Sequence, residues 1–223
     1  MKFPQKLIVI IFCLITVFSW APEMRGSPEK TGYPINKTSD DLRFLNMGKG
    51  VLGFKIDSTT INEIRNKMGK AEILKGGKHE PDRFCYVSNK DQDNTVLEFE
   101  TNILGHKDFF QGFALYSLKP NHLSNENCMP SDMVHKGIEA LGSIRLNLDI
   151  KAVKSLLGNP THEEKNMIIY NREYRVPWPD NWYTDNNQPV PNEKDNYIVS
   201  IDIWGQFEKG KLKIFKISQY SNM

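Results

Sequence analysis

The sequence predicts an α+β fold of two tandem units, each a short helix packed on a three- to four-stranded antiparallel meander. Three observations predict it. Two capped, apolar-striped stretches beginning at Thr60 and Asp149 repeat at an offset of 89 residues. Each is followed by runs alternating apolar and polar residues, the period of a half-buried strand. The chain is 223 residues long, 39% hydrophobic and 25% charged, which suits a packed core rather than disorder.

The elements follow in chain order. Lys2 and Lys6 precede an apolar run from Leu7 to Trp20, the pattern of a secretory signal peptide. Such a run spans roughly 21 Å as a helix, short of the ~30 Å hydrocarbon core, so 1–26 reads as a cleaved signal rather than a stable anchor. Ser19-Trp20-Ala21 and Gly26 both remain as cleavage candidates. Cys13 lies inside the run rather than after it, which argues against lipidation. Residues 27–50, rich in Pro, Gly, Ser and Lys, read as a flexible lead-in.

The first unit covers 51–118. Thr60 can cap a helix in which Ile61, Ile64 and Met68 share one face, and Gly69 can end it. Strands are expected at 83–87, 95–100 and 111–117. Residues 119–141 read as a linker with a helix at 131–141. The second unit covers 142–223. There Asp149, then Ile150, Val153 and Leu157, then Gly158 repeat the helix, and Pro160 forbids its continuation. Strands are expected at 166–170, 172–176, 197–204 and 212–217, the last two joined across a Lys209-Gly210 turn.

Charge narrows the function. The chain has 29 Lys+Arg against 27 Asp+Glu, and the excess sits in 1–26, which holds Lys2, Lys6 and Arg25 against Glu23. A neutral body argues against nucleic-acid binding, which needs a clustered positive surface. Once the signal is removed, Cys85 and Cys128 remain. An even pair in an oxidising compartment reads as one disulfide; the alternative is two buried free thiols.

No GxSxG, Walker, GxGxxG or HExxH motif occurs, and the histidines are scattered, so no catalytic residue, metal or cofactor is expected. Asn89, Asp91, Asp93 and Glu100 mimic calcium-loop spacing, but Asn94 replaces the required glycine and the following residues alternate as a strand. A polar hairpin turn is expected there. Segment 176–195 carries Trp178, Trp182 and Tyr183 among four prolines. Those three aromatics are the candidate binding residues of a recognition loop, with a cap folded back on the sheet as the alternative.

A capped helix closing in Leu157-Gly158-Asn159-Pro160, followed by a meander and present twice, resembles the SmpA/OmlA family of small outer-membrane-assembly lipoproteins, which have one such unit. It is also similar to the tandem-repeat β-lactamase inhibitor proteins, which have two. The resemblance covers 52–118 and 142–220; Ala71 stands where the first copy would carry the proline. It implies a protein binder without chemistry, in the periplasm or secreted, and carries no individual site residue onto this chain. The expected function is steric binding of a cell-envelope protein or secreted enzyme, as an inhibitor, immunity-type or accessory protein. Two alternatives stand: a hydrolase using Glu98 and Glu100 in a cleft between the units, and a small-ligand or lipid carrier with an apolar cavity between helix and sheet.

Overall fold

The structure, a computed structural model, describes residues 50–77, 80–101, 108–117, 128–177 and 196–222. The signal segment 1–26 and the lead-in up to residue 49 lie outside these residues. Ten strands and two helices are described: β1 (Gly50–Val51), β2 (Phe54–Lys55), α1 (Ile61–Met68), β3 (Arg83–Ser88), β4 (Val96–Thr101), β5 (Phe110–Tyr116), β6 (Cys128–Ser131), α2 (Ile150–Leu157), β7 (His162–Glu164), β8 (Met167–Pro177), β9 (Asn196–Glu208) and β10 (Lys211–Asn222).

Both helices form where the apolar spacing places them. Thr60 accepts from the Glu63 N–H at 3.2 Å while the Glu63 carboxylate accepts the Thr60 N–H at 2.7 Å, a reciprocal cap. Asp149 accepts from the Ala152 N–H at 2.8 Å. Gly69 and Gly158 end the helices at positive φ, 108° and 82°. Their ψ values, 159° and −160°, are extended rather than left-handed helical, a region only glycine adopts readily. The chain therefore turns straight out of each helix. The carbonyl of each glycine accepts a tyrosine hydroxyl from the sheet, Tyr86 to Gly69 at 2.7 Å and Tyr170 to Gly158 at 3.1 Å.

The expectation of two tandem units, each with its own meander, is overturned. One eight-stranded sheet runs β6-β3-β4-β5-β10-β9-β8-β7 and joins both stretches. The seam is β5 with β10, antiparallel, with Phe113 opposite Ile217 and Ala114 opposite Lys216. Two separate meanders would each leave a long apolar edge strand open, and pairing those edges removes both liabilities. All seven residues of β5 are buried, as befits a central strand. Both helices cover the same face, and one core joins Ile61, Ile64 and Met68 to Val153 and Leu157 through Phe84, Phe99, Phe113, Phe215, Ile201 and Ile168.

The sheet is also mixed rather than purely antiparallel, because β6 pairs in parallel with β3. Cys85 and Cys128 stand opposite each other in that pair and form the disulfide. The helix expected at 131–141 is absent. Its apolar residues Val134, Ile138 and Leu141 do enter the core, but through successive turns, with Leu141 at φ 51° and Gly142 at φ 78°. The Lys136 N–H, which a helix would have used internally, donates to the Asp93 carboxylate at 2.7 Å. The strands expected at 166–170 and 172–176 are one, β8. The hairpin at Lys209-Gly210 has both φ values positive, as does an unforeseen one at Leu52-Gly53, the geometry that fits strand twist. Among the described residues no helix is long and apolar enough to cross a membrane.

Candidate functional site

With the helices and core on one face, alternation sends every second side chain to the other. The register reads two rows across this second face. One runs Cys85, Glu98, Ala114, Lys216, Trp204, Ile169. The next runs Arg83, Glu100, Gly112, Ser218, Asp202, Asn171.

The β3–β5 half of this face is buried. The disulfide packs with Val96, Ala114 and Tyr116 in a second apolar cluster, with Val87 and Ile214 against it. Beside it lies a charge cluster. Glu98 and Glu100 are 1% and 4% exposed. The Lys216 ammonium sits 2.7 Å from the Glu100 carboxylate, and the Ser218 hydroxyl donates to it at 3.2 Å. Arg83 Nε lies 3.3 Å from Glu100 and 3.7 Å from Glu98, near enough for charge attraction though not aligned for a hydrogen bond. Both cations are a third exposed, so the acids are sunk and the bases cover them. Burial first, then the charges of Glu98 and Glu100, pushes the Tyr116 phenol above its ordinary range, with Arg83 opposing.

The two glutamates do come together on one face, as the hydrolase alternative requires. Their oxygens, however, are engaged by Arg83, Lys216 and Ser218, an arrangement that balances buried charge. Among the described residues no group of three or more His, Cys, Asp or Glu could hold a metal ion. Residues 89–94 form the β3–β4 turn. There the Asp93 carboxylate accepts from Thr95 and from the Lys136 backbone; burial works against its charge, but these hydrogen bonds prevail and its pKa is lowered.

The β8–β10 half differs. Trp204, Ile169, Ile198 and Ile214 are half-buried, as are Asp202, Lys216 and Tyr220, while Asn171 is exposed. Asn171 Nδ2 donates to Asp202 at 2.7 Å across the strands. This is an aromatic and aliphatic strip edged by charge, presented by rigid strands. A separate open groove of about 550 Å³ lies between the β1–β2 hairpin and residues His135–Gly142, lined by Val51, Phe54, Ile138 and several glycines. It is not the enclosed cavity between helix and sheet that a carrier would need.

Trp178, Trp182 and Tyr183 lie outside the described residues. Cys85 and Cys128 are placed as expected. Trp204, Lys216 and Arg83 escaped sequence reasoning as site residues. The signal for Trp204 was present: it alternates with Ile201 and Ile203, so a buried isoleucine face leaves a tryptophan on the other. Lys216 carried no such signal, because its strand reaches Glu100 only across the seam, and Arg83 meets Glu100 only once β3 pairs with β4. Comparison of the chain with protein-family models, curated proteins and solved structures gives no match.

Proposed function

We propose that this is an exported, periplasmic or secreted protein that binds another protein sterically, using the second face of β8, β9 and β10. The observation that carries this reading is the half-buried strip around Trp204 on a sheet whose opposite face is filled by core. Tryptophan among aliphatic neighbours with flanking charge is the composition of interface hot spots. Three strands about 4.8 Å apart and roughly 40 Å long offer about 580 Å² on this side. Counting both partners, that approaches the roughly 1,200 Å² at the low end of specific complexes. The disulfide is compatible with an oxidising compartment.

A photo-crosslinking residue at position 204, compared with one at Asn66 on the exposed side of α1, tests this in an extract of the cell envelope. A defined partner captured at 204 and not at 66, whose binding to the purified chain falls at least tenfold in Trp204→Ala, is the expected result. Equal capture at both positions, or unchanged affinity in the variant, would overturn it.

A further inference from the structure

The two ends of the sheet are finished differently. At one end β6 is four residues long, contains Pro130 and is tied to β3 by the disulfide. Short strands, proline and covalent tethers are the usual ways of blunting an edge. At the other end β8 pairs with β9 along its whole length, Met167 to Pro177. Its outer side is paired with β7 only from Met167 to Ile169. Thr161 extends this cover by one step: its N–H donates to the Ile169 carbonyl at 2.8 Å, and its hydroxyl accepts the Asn171 N–H at 3.0 Å.

These bonds fix which residues face outward. Ile169 and Asn171 turn their backbone groups away from β9, so by alternation Glu173 and Arg175 do the same. Among the described residues no strand pairs with them there, and both side chains are exposed.

We propose that this open edge is a homodimer contact, in which β8 of a second copy adds antiparallel to β8 about a two-fold axis through Tyr174. Charge complementarity selects both the occupant and the register. With the axis at Tyr174, Glu173 lies opposite the partner's Arg175 and Arg175 opposite the partner's Glu173. Each pair exchanges two backbone hydrogen bonds, four in all. An axis through Glu173 would oppose two glutamates and bring Arg175 onto Asn171, whose N–H Thr161 already holds. An axis through Arg175 would oppose two arginines and bring Glu173 onto Pro177, which has no N–H to give. A two-fold interface is self-complementary, so one Glu-x-Arg step on an outward edge serves both copies.

Sedimentation equilibrium of the purified mature chain over a range of concentrations tests the proposal. A monomer–dimer equilibrium is expected. Glu173→Arg and Arg175→Glu each turn two attractive cross-strand pairs into repulsive ones and should weaken dimerisation roughly tenfold or more. The double variant E173R/R175E restores opposite charges across the axis and should return affinity to near the parent value. Circular dichroism checks that each variant stays folded. A chain that remains monomeric up to about 1 mM, a dimer indifferent to the single charge reversals, or a double variant as weak as the singles would each overturn the proposal.

Discussion

Replacing Cys85 and Cys128 by alanine together cuts the tie between β3 and β6. Alanine rather than serine is the right probe, because Cys85 is fully buried and a hydroxyl there would need a partner. The bridge closes a separation of 43 residues, for which loop entropy gives about 4 kcal/mol. For a chain of this size that corresponds to a melting temperature lower by roughly 8–16 °C. The structure also says where the loss begins. Strand β6 pairs only with β3 among the described strands, over four residues, and its Met129 and Pro130 are exposed. Thermal unfolding followed by circular dichroism measures the total, and native-state hydrogen exchange locates it. The amides of Met129 and Ser131 should exchange by local opening while those of β5 and β10 still require global unfolding. A melting point within about 2 °C of the parent would refute the entropic account, since each kcal/mol is worth roughly 2–4 °C in a chain of this size. Loss of β6 and β5 protection at one common free energy would refute its peripheral place.

Two further predictions concern the core and the seam. Burial holds the Tyr86 and Tyr170 phenols at about 12, against 10.0 in their absence, so the unfolded chain releases these protons first. Their contribution to stability is therefore full below pH 10 and is lost as pH rises through about 12, and denaturation midpoints taken below and within that window should show it; a flat profile counts against the burial of these rings. At the seam, a Cβ on Gly112 would stand 2.6 Å from the Ile217 carbonyl, a backbone atom that cannot yield cheaply. Gly112→Ala should cost about 2 kcal/mol or more in urea unfolding. Gly205→Ala, which meets only the side chains of Ile168 and Leu212 at 3.2 Å, should cost less, and equal losses would contradict the close approach of β5 and β10.

Local features of this fold were legible because their causes are local. The three-then-four spacing of Ile61, Ile64 and Met68, the caps Thr60 and Asp149, and the alternation in β9 and β10 all act within a few residues. The hairpin at Lys209-Gly210 is of the same kind, whereas the pairing of Cys85 with Cys128 was legible from cysteine number alone. What stayed hidden was long-range. Nothing in the offset of 89 says whether two meanders close separately or share an edge, because both choices bury the same helix stripes. One residue did speak to it: Gly112, in the interior of the strand that continues through Phe113, Ala114 and Leu115, marks a close backbone approach. The turn segment 131–141 misled because Val134, Ile138 and Leu141 keep helical spacing, while Leu141 and Gly142 at positive φ end any helix. Parallel pairing of β6 has no local signature, since its partner strand lies far back in the chain.

The seam also decides what kind of site this chain can offer. Had each helix covered its own sheet, the outer faces would have been two small, independently oriented patches. Because β5 joins β10, both helices lie on one side and the opposite face becomes a single surface in which Cys85 and Ile169 belong to the same row. That surface is graded. At its β3–β5 end the acids Glu98 and Glu100 are buried beneath Arg83 and Lys216; at its β8–β10 end Trp204 and Ile169 are only half-buried. Lys216 stands at the boundary, in register with Trp204 on one side and Ala114 on the other. Its ammonium is held by Glu100, so it gives the strip a fixed positive flank rather than a free cation. On the binding role proposed for this strip, a partner packing on Trp204 would meet oriented side chains on paired strands and lose little freedom in ordering them, which is how a modest area could yield a specific contact.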